Sequence, residues 1–301
     1  MSDLPGWAKA SYDQVLHQLQ EARLSHAILI DEPIGAGGAI LVQHLVRELL
    51  ELPAFTDCRE VIEPCLKWID VDVIRERQGS RRRTLIIDVE TIRDVIDFLM
   101  RTMGTRNYKV VVLDDAHLMN VQASNAFLKI LEEPPDNSVV FLISTQATEL
   151  LPTIRSRCAT IKIRAPTEIE TKEWLLSQSC KENDIERYLL DFGPAPLSIL
   201  FAYRDSALTV RDCLLDVLRD GGKVHEIAAK MAAEDPASVL TRWQRSVVRF
   251  ARNLPQQLPI HEYYEELTDL KRQLSESPAL NWQLQFESML LKWKRLNRQV
   301  R

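Results

Sequence analysis

Two apolar runs, Lys109-Val-Val-Val-Leu113 and Val139-Val-Phe-Leu-Ile143, stand a helix-length segment apart, and that spacing constrains the fold more than any other feature of the chain. Strands buried on both faces read as continuous apolar runs, and two of them separated by a helix become parallel neighbours joined by a crossover. The sequence therefore specifies an α/β layer with a parallel sheet. Polar residues end each run: Asp114 and Asp115 after the first, Ser144 and Thr145 after the second. Ligands collect at the carboxyl edge of an open α/β sheet, so these residues are the first site candidates. Asp114 and Asp115 admit two readings. One carboxylate for Mg²⁺ and one for a catalytic water is the arrangement of a phosphoryl-transfer site; capping of the following helix is the plainer alternative.

Upstream, His26-Ala-Ile-Leu-Ile30 reads as a buried strand. It leads through Asp31-Glu-Pro-Ile-Gly35-Ala-Gly37-Gly38-Ala39 into a helix predicted over about 40–52. Strand, glycine loop and helix form the setting of a phosphate-binding P-loop. In a working loop, backbone N–H groups wrap the phosphates, a lysine faces the β/γ oxygens and Ser or Thr holds Mg²⁺. Gly35 and Gly37 remain, but Glu32 stands at the first glycine position, Gly38 at the lysine position and Ala39 at the Ser/Thr position. Taken as charges, Asp31 and Glu32 would each repel a phosphate by roughly 3 kcal/mol at about 6 Å and an effective dielectric near 20. Nucleotide binding at this loop is expected to be weak or absent.

Leu131-Glu-Glu-Pro-Pro135 and Ser156-Arg157-Cys158, in this order with the parts above, resemble the clamp-loader branch of the AAA+ ATPases; the likeness runs from about residue 5 to the C-terminus. The resemblance implies an α/β domain with a degenerate P-loop over 1–165, a three-helix lid over 166–205 and an all-helical collar, the oligomerisation domain, over 206–301. It makes Asp114 and Asp115 a Walker B-like pair and Ser144 the sensor 1 residue. Arg157, flanked by Ser156 and Cys158, becomes an arginine finger that acts in trans at a neighbouring subunit's ATP site. Guanidinium suits that role through its permanent charge and planar fork; a surface salt bridge is the alternative for Arg157. The lid's sensor 2 arginine is replaced by Pro194-Ala-Pro196.

The branch often carries a four-cysteine zinc module between 53 and 70. Only Cys58 and Cys65 are present there, short of the four ligands of a structural site, so the module reads as lost; His26 and His44 read as core or surface residues. The departures point to a branch member that holds no ATP or Mg²⁺ of its own, with both in the neighbouring subunit. The function expected is a non-hydrolysing stator in a DNA-directed DNA polymerase holoenzyme. Its partners would be the tau/gamma and delta loader subunits, the sliding clamp and primed DNA. Two alternatives stand: an ATP-hydrolysing loader subunit, for which Asp115 is short of the usual Glu, and an AAA+ adaptor in another assembly.

Composition sets the remaining bounds. The 301 residues suit two or three domains. With 46% hydrophobic and 27% charged residues and no membrane-length apolar run, the chain reads as globular and the cytosol is the expected address. Five scattered cysteines fit reduced thiols. A net charge of −5 supplies no global attraction to nucleic acid, which leaves local contacts such as the Arg81-Arg82-Arg83 turn, or merely a solvated loop. A charged turn is read over Glu76–Arg83, Leu85-Ile-Ile-Asp88 as a short extended piece and Thr167 with Glu170 as a capping box, and helical spacing is predicted near the N-terminus, over 89–103, and for five helices beyond Ser206. Trp282, Phe286, Leu290 and Trp293 form a core or subunit-facing stripe in the last of these.

Overall fold

In a computed structural model, the chain is described over residues 4–54, 56–59, 64–78, 85–101, 107–219, 223–252, 258–276 and 280–299. Contacts divide it into two units, Met1–Trp174 with Pro194–Leu197, and Leu175–Gly193 with Ser198–Arg301.

The first unit opens with helix α1 (Lys9–Gln20), strand β1 (Ala27–Asp31) and helix α2 (Gly38–Leu50). Strand β2 (Leu66–Ile69) and helices α3 (Val71–Gln78) and α4 (Val89–Met100) follow. Then come β3 (Lys109–Leu113), α5 (Val121–Glu132), β4 (Ser138–Ser144), the short α6 (Pro152–Arg155), β5 (Ala159–Lys162) and α7 (Glu168–Ser177), whose residues from Leu175 on belong to the second unit. Among the described residues the five strands form one parallel sheet in the order β2-β3-β4-β1-β5. Every residue of β3 and β4 is buried, as their uninterrupted apolar runs require. Ile92, Val95 and Leu99 of α4 join Phe127 and Ile130 of α5 in the core cluster beside Val111, Leu113, Val140 and Leu142 of the strands.

Lys109 begins β3 fully buried. Its Nζ donates to the carbonyls of Phe98 (2.8 Å), Leu99 (3.4 Å) and Arg101, so a cation closes the last turn of α4 where helix carbonyls lack partners. Thr167 and Glu170 form the capping box expected from their spacing: Thr167 Oγ1 accepts from the Glu170 amide at 3.2 Å and a Glu170 carboxylate oxygen accepts from the Thr167 amide at 2.9 Å.

The second unit contains α8 (Glu182–Phe192), α10 (Val210–Leu218), α11 (Val224–Ala232), α12 (Pro236–Arg252), α13 (Leu258–Glu276) and α14 (Trp282–Gln299); α9 (Pro196–Arg204) begins at the end of the first unit's returning segment. The predicted aromatic stripe is core: Phe286, Leu290 and Trp293 are buried with Trp243 and Tyr263, and Trp282 packs against them. Asp191 is wholly buried, pairs with Arg242 at 3.2 Å and accepts from the Val210 amide at 3.1 Å, which ties α8 to α10 and α12. Gly193 has a φ of +71°, and a Cβ there would lie 2.6 Å from the Arg245 guanidinium, so glycine is required on two counts.

The edge strands β2 and β5 and helix α3 are absent from the sequence reading. Both strands are four residues long and interrupted by Lys67 or Thr160, too short to signal a buried run. Leu85-Ile-Ile-Asp88, predicted as an extended piece, supplies a single bridge, Ile87 with Met119. Of the charged turn read over Glu76–Arg83, Glu76–Gln78 instead end helix α3, and Gly79–Arg83, with Thr102 and Met103, lie outside the described residues.

Candidate functional site

Register brings the predicted loop and strand-end residues together. Asp31 is paired with Ser144 across β1 and β4, and the Glu32 amide donates to the Ser144 carbonyl at 3.1 Å. Asp114 follows the last residue of β3, whose Leu113 pairs with Leu142 of β4. Glu32, Asp114, Asp115 and Ser144 thus share the carboxyl edge of adjacent strands, where α/β sheets bind ligands. Gly35 (φ +70°) and Gly37 (φ +95°) take left-handed conformations in the connecting loop. The Trp7 indole donates to the Ala36 carbonyl at 2.7 Å, and the Leu197 amide, beyond Pro194-Ala-Pro196, donates to the Gly35 carbonyl at 3.0 Å.

The loop's anion position is taken. Glu32 Oε2 accepts from the Gly38 amide at 2.6 Å, with the Gly37 amide also directed to the carboxyl. Burial, reinforced by Asp114 and Asp115, pushes this carboxyl up to about 8 against the opposing pull of the amides. At neutral pH the group therefore largely holds its proton. This corrects the sequence reading, which treats Glu32 as a repelling charge: it acts as a plug that accepts hydrogen bonds. Ala39, next on α2, carries no hydroxyl for a metal ion.

The first strand-end aspartate has also found other work. Asp114 pairs with Arg59 at 3.2 Å, and the same guanidinium lies 5.5 Å from the Trp68 ring centre. Burial and the neighbouring Asp115 push Asp114 up to about 6, opposed by Arg59. A cation of the chain's own stands at the carboxylate on which Mg²⁺ would be held. Arg59 lies in the segment where the zinc module was sought, and sequence spacing gave no signal for the pair. The capping alternative fails for the side chains: Asp115, at φ +53°, precedes a short 3₁₀ turn without a side-chain cap bond, and Asn120 caps α5 through the Ala123 amide at 2.8 Å. Ser144 is buried, 3.3 Å from His117 Nδ1, and accepts from the Gln146 amide at 3.1 Å. With Glu32 on the Gly38 amide, Arg59 on Asp114 and no hydroxyl at Ala39, these residues do not fit a triphosphate and its metal.

Arg157 makes its contacts at the end of α5. Its Nη2 lies 2.6 Å from Glu132 Oε1 and its Nη1 donates to the Thr153 carbonyl at 3.0 Å, with both side chains partly in solvent. Ser156 Oγ donates to the same carbonyl at 3.1 Å, and Cys158 packs against the core, where burial pushes its thiol up to about 11. The two motifs read separately from the sequence, Leu131–Pro135 and Ser156–Cys158, are therefore joined by an ion pair. Cys58 is buried with its thiol 3.7 Å from the Gln43 carbonyl, and His26 Nε2 lies 3.0 Å from the Leu131 carbonyl.

A model described as DNA polymerase III, delta subunit, matches residues 7–167, and a second, for the C-terminal part of the same delta subunit, matches 226–295. The chain belongs to the DNA polymerase III delta subunit family. Among its relatives, DNA polymerase III subunit delta' of Pseudomonas aeruginosa is 29% identical over 99% of this chain and 94% of its own length. The subunit delta' of Yersinia pestis is 26% identical over 96% and 94% respectively. A DNA polymerase III gamma subunit-related protein of Thermotoga maritima shares the fold with a TM-score of 0.61 at 19% identity, covering 93% of this chain and 99% of its own. The resemblance to the clamp-loader branch read from the two short motifs is the correct family.

Proposed function

We propose that this chain is a non-hydrolysing stator of the DNA polymerase III clamp loader, acting beside tau/gamma and delta subunits while a sliding clamp is placed on primed DNA. The observation that carries this reading is the contrast between the two halves of the site. Glu32 and Arg59 occupy the places of anion and metal in the chain's own cradle, while Arg157 remains at the surface on a partner it can leave. In this role Arg157 is donated to the neighbouring subunit's ATP site, ATP and Mg²⁺ belong to that neighbour, and this chain carries no zinc module. The lid and collar helices serve assembly.

The test is an assembled loader reconstituted with wild-type chain or Arg157→Ala. A marked fall in DNA-stimulated ATPase with assembly intact supports the reading, and unchanged ATPase in a complete loader rejects it. The purified chain alone is expected to show no ATP binding; micromolar binding with turnover would make it a hydrolase instead.

A further inference from the structure

Two of the departures from a working P-loop sit on each other. A Cβ built on Gly38 would lie 2.8 Å from both the carboxyl carbon and Oε1 of Glu32, and 3.0 Å from Ile143 Cγ2. Gly38 occupies the lysine position, so the volume into which that lysine's stem would emerge is filled by the carboxyl of the residue at the first glycine position. Backbone conformation does not account for glycine here: Gly38 lies in α2 and is absent from the glycines with positive φ, unlike Gly35 and Gly37. The remaining explanation is space. Conversely, the 2.6 Å bond between Glu32 Oε2 and the Gly38 amide exists because no side chain intervenes.

We propose that Glu32 and Gly38 form one unit, an internal occupant and the gap that admits it, and that this unit keeps oxyanions out of the loop independently of the missing lysine. The Gly38 amide, one of those that would wrap a phosphate at the start of α2, a helix of 13 residues, is satisfied from within. A side chain at position 38 evicts the carboxyl and strips the amide of its acceptor. Removal of the Glu32 side chain leaves the amide facing an open cradle. The inference concerns the same loop as the stator reading and shares its premise that nucleotide is absent, but it makes no use of Arg157 or of the assembled loader.

A cycle of four full-length chains tests it: wild type, Glu32→Gly, Gly38→Ala and the double variant, compared by thermal unfolding and by titration with inorganic pyrophosphate. Gly38→Ala is expected to lower the midpoint by several degrees in the wild-type background and by much less when Glu32 is already glycine. Equal losses in the two backgrounds would overturn the proposal. Glu32→Gly is expected to bind pyrophosphate roughly 10- to 100-fold more tightly than wild type, the range of one or two recovered hydrogen bonds to a charged acceptor. Glu32→Gln, which keeps shape and acceptor, is expected to match wild type. Wild type binding pyrophosphate as well as folded Glu32→Gly would also overturn it. If Glu32→Gly does not fold, Glu32→Ala replaces it in the cycle, and the coupling with position 38 decides. A loader whose ATPase ignores Arg157→Ala while this cycle behaves as stated would reject the stator reading alone.

Discussion

Arg157 reaches Glu132 at 2.6 Å, so the cation of one short motif is parked on the acid of the other. The pair is 35% and 50% exposed, and exposed ion pairs contribute only about 0.2–1 kcal/mol. A finger placed at a transition state contributes about 10³ to 10⁵ in rate, roughly 4–7 kcal/mol. On the finger role proposed above, transition-state stabilisation would outweigh the ion pair, and the tether would orient Arg157 without withholding it. On that reading, Glu132→Gln is expected to leave thermal stability unchanged and to raise loader ATPase by no more than about fivefold, whereas Arg157→Ala is expected to remove roughly 10³ or more at the neighbouring site. Steady-state ATPase on primed DNA distinguishes the two; a Glu132→Gln loader as inactive as Arg157→Ala would show that the acid does more than hold the guanidinium.

Glu32 makes stability depend on pH in a direction opposite to that of a salt-bridged acid. Its carboxyl is raised from 4.5 to about 8 in the folded chain, so the folded state binds the proton more tightly than the unfolded one. Its contribution is full below about 4.5 and is lost as pH rises toward 8. Asp114, raised from 3.8 to about 6, adds the same sign over a lower window. Urea unfolding across pH 4.5–8.5 should show wild type losing stability relative to Glu32→Gln, with the difference growing steadily between about pH 4.5 and 8. Parallel curves for the two chains would contradict the buried, protonated carboxyl.

In the helical unit, Asp191 and Arg242 are both buried, and Arg242 also meets Glu234 and lies 4.6 Å from the Phe192 ring centre. Removing one member of a buried pair costs about 3–5 kcal/mol. The two deletions are not equivalent. Burial already pushes the Asp191 carboxyl up, so it can shed its charge by taking a proton, while guanidinium cannot lose one. Arg242→Met is therefore expected to be the milder change and to become milder as pH falls, with Asp191→Ala near the lower end of that range because Glu234 remains. Denaturant midpoints at pH 5 and 8 provide the comparison.

Lys109→Met preserves the aliphatic stem and removes the donor shared by the Phe98, Leu99 and Arg101 carbonyls. Leaving buried acceptors without partners costs about 1–3 kcal/mol. Hydrogen exchange should locate the loss at the end of α4, with the second unit unaffected.

How far the sequence could be read follows from the range of the interactions. Uninterrupted apolar runs announced β3 and β4, and the order of short motifs announced the family, because both signals are local in the chain. The capping box at Thr167 and Glu170 was legible for the same reason. Arg59 with Asp114, Arg157 with Glu132 and Asp191 with Arg242 are 55, 25 and 51 residues apart, and charged residues at such separations carry no mark of their partner. Glu32 was found as a departure, but its meaning was not: only the position of its carboxyl against Gly38 turns a misplaced charge into a stopper.

The fit of Glu32 into the hollow at Gly38 couples the two positions to each other. Gly38→Lys alone drives a side chain into an occupied volume, and Glu32→Gly alone opens a niche with no cation above it. On the proposal above, a lysine-bearing loop would need both positions changed together, so the pair is held by geometry, much as a key broken off in a lock secures the door.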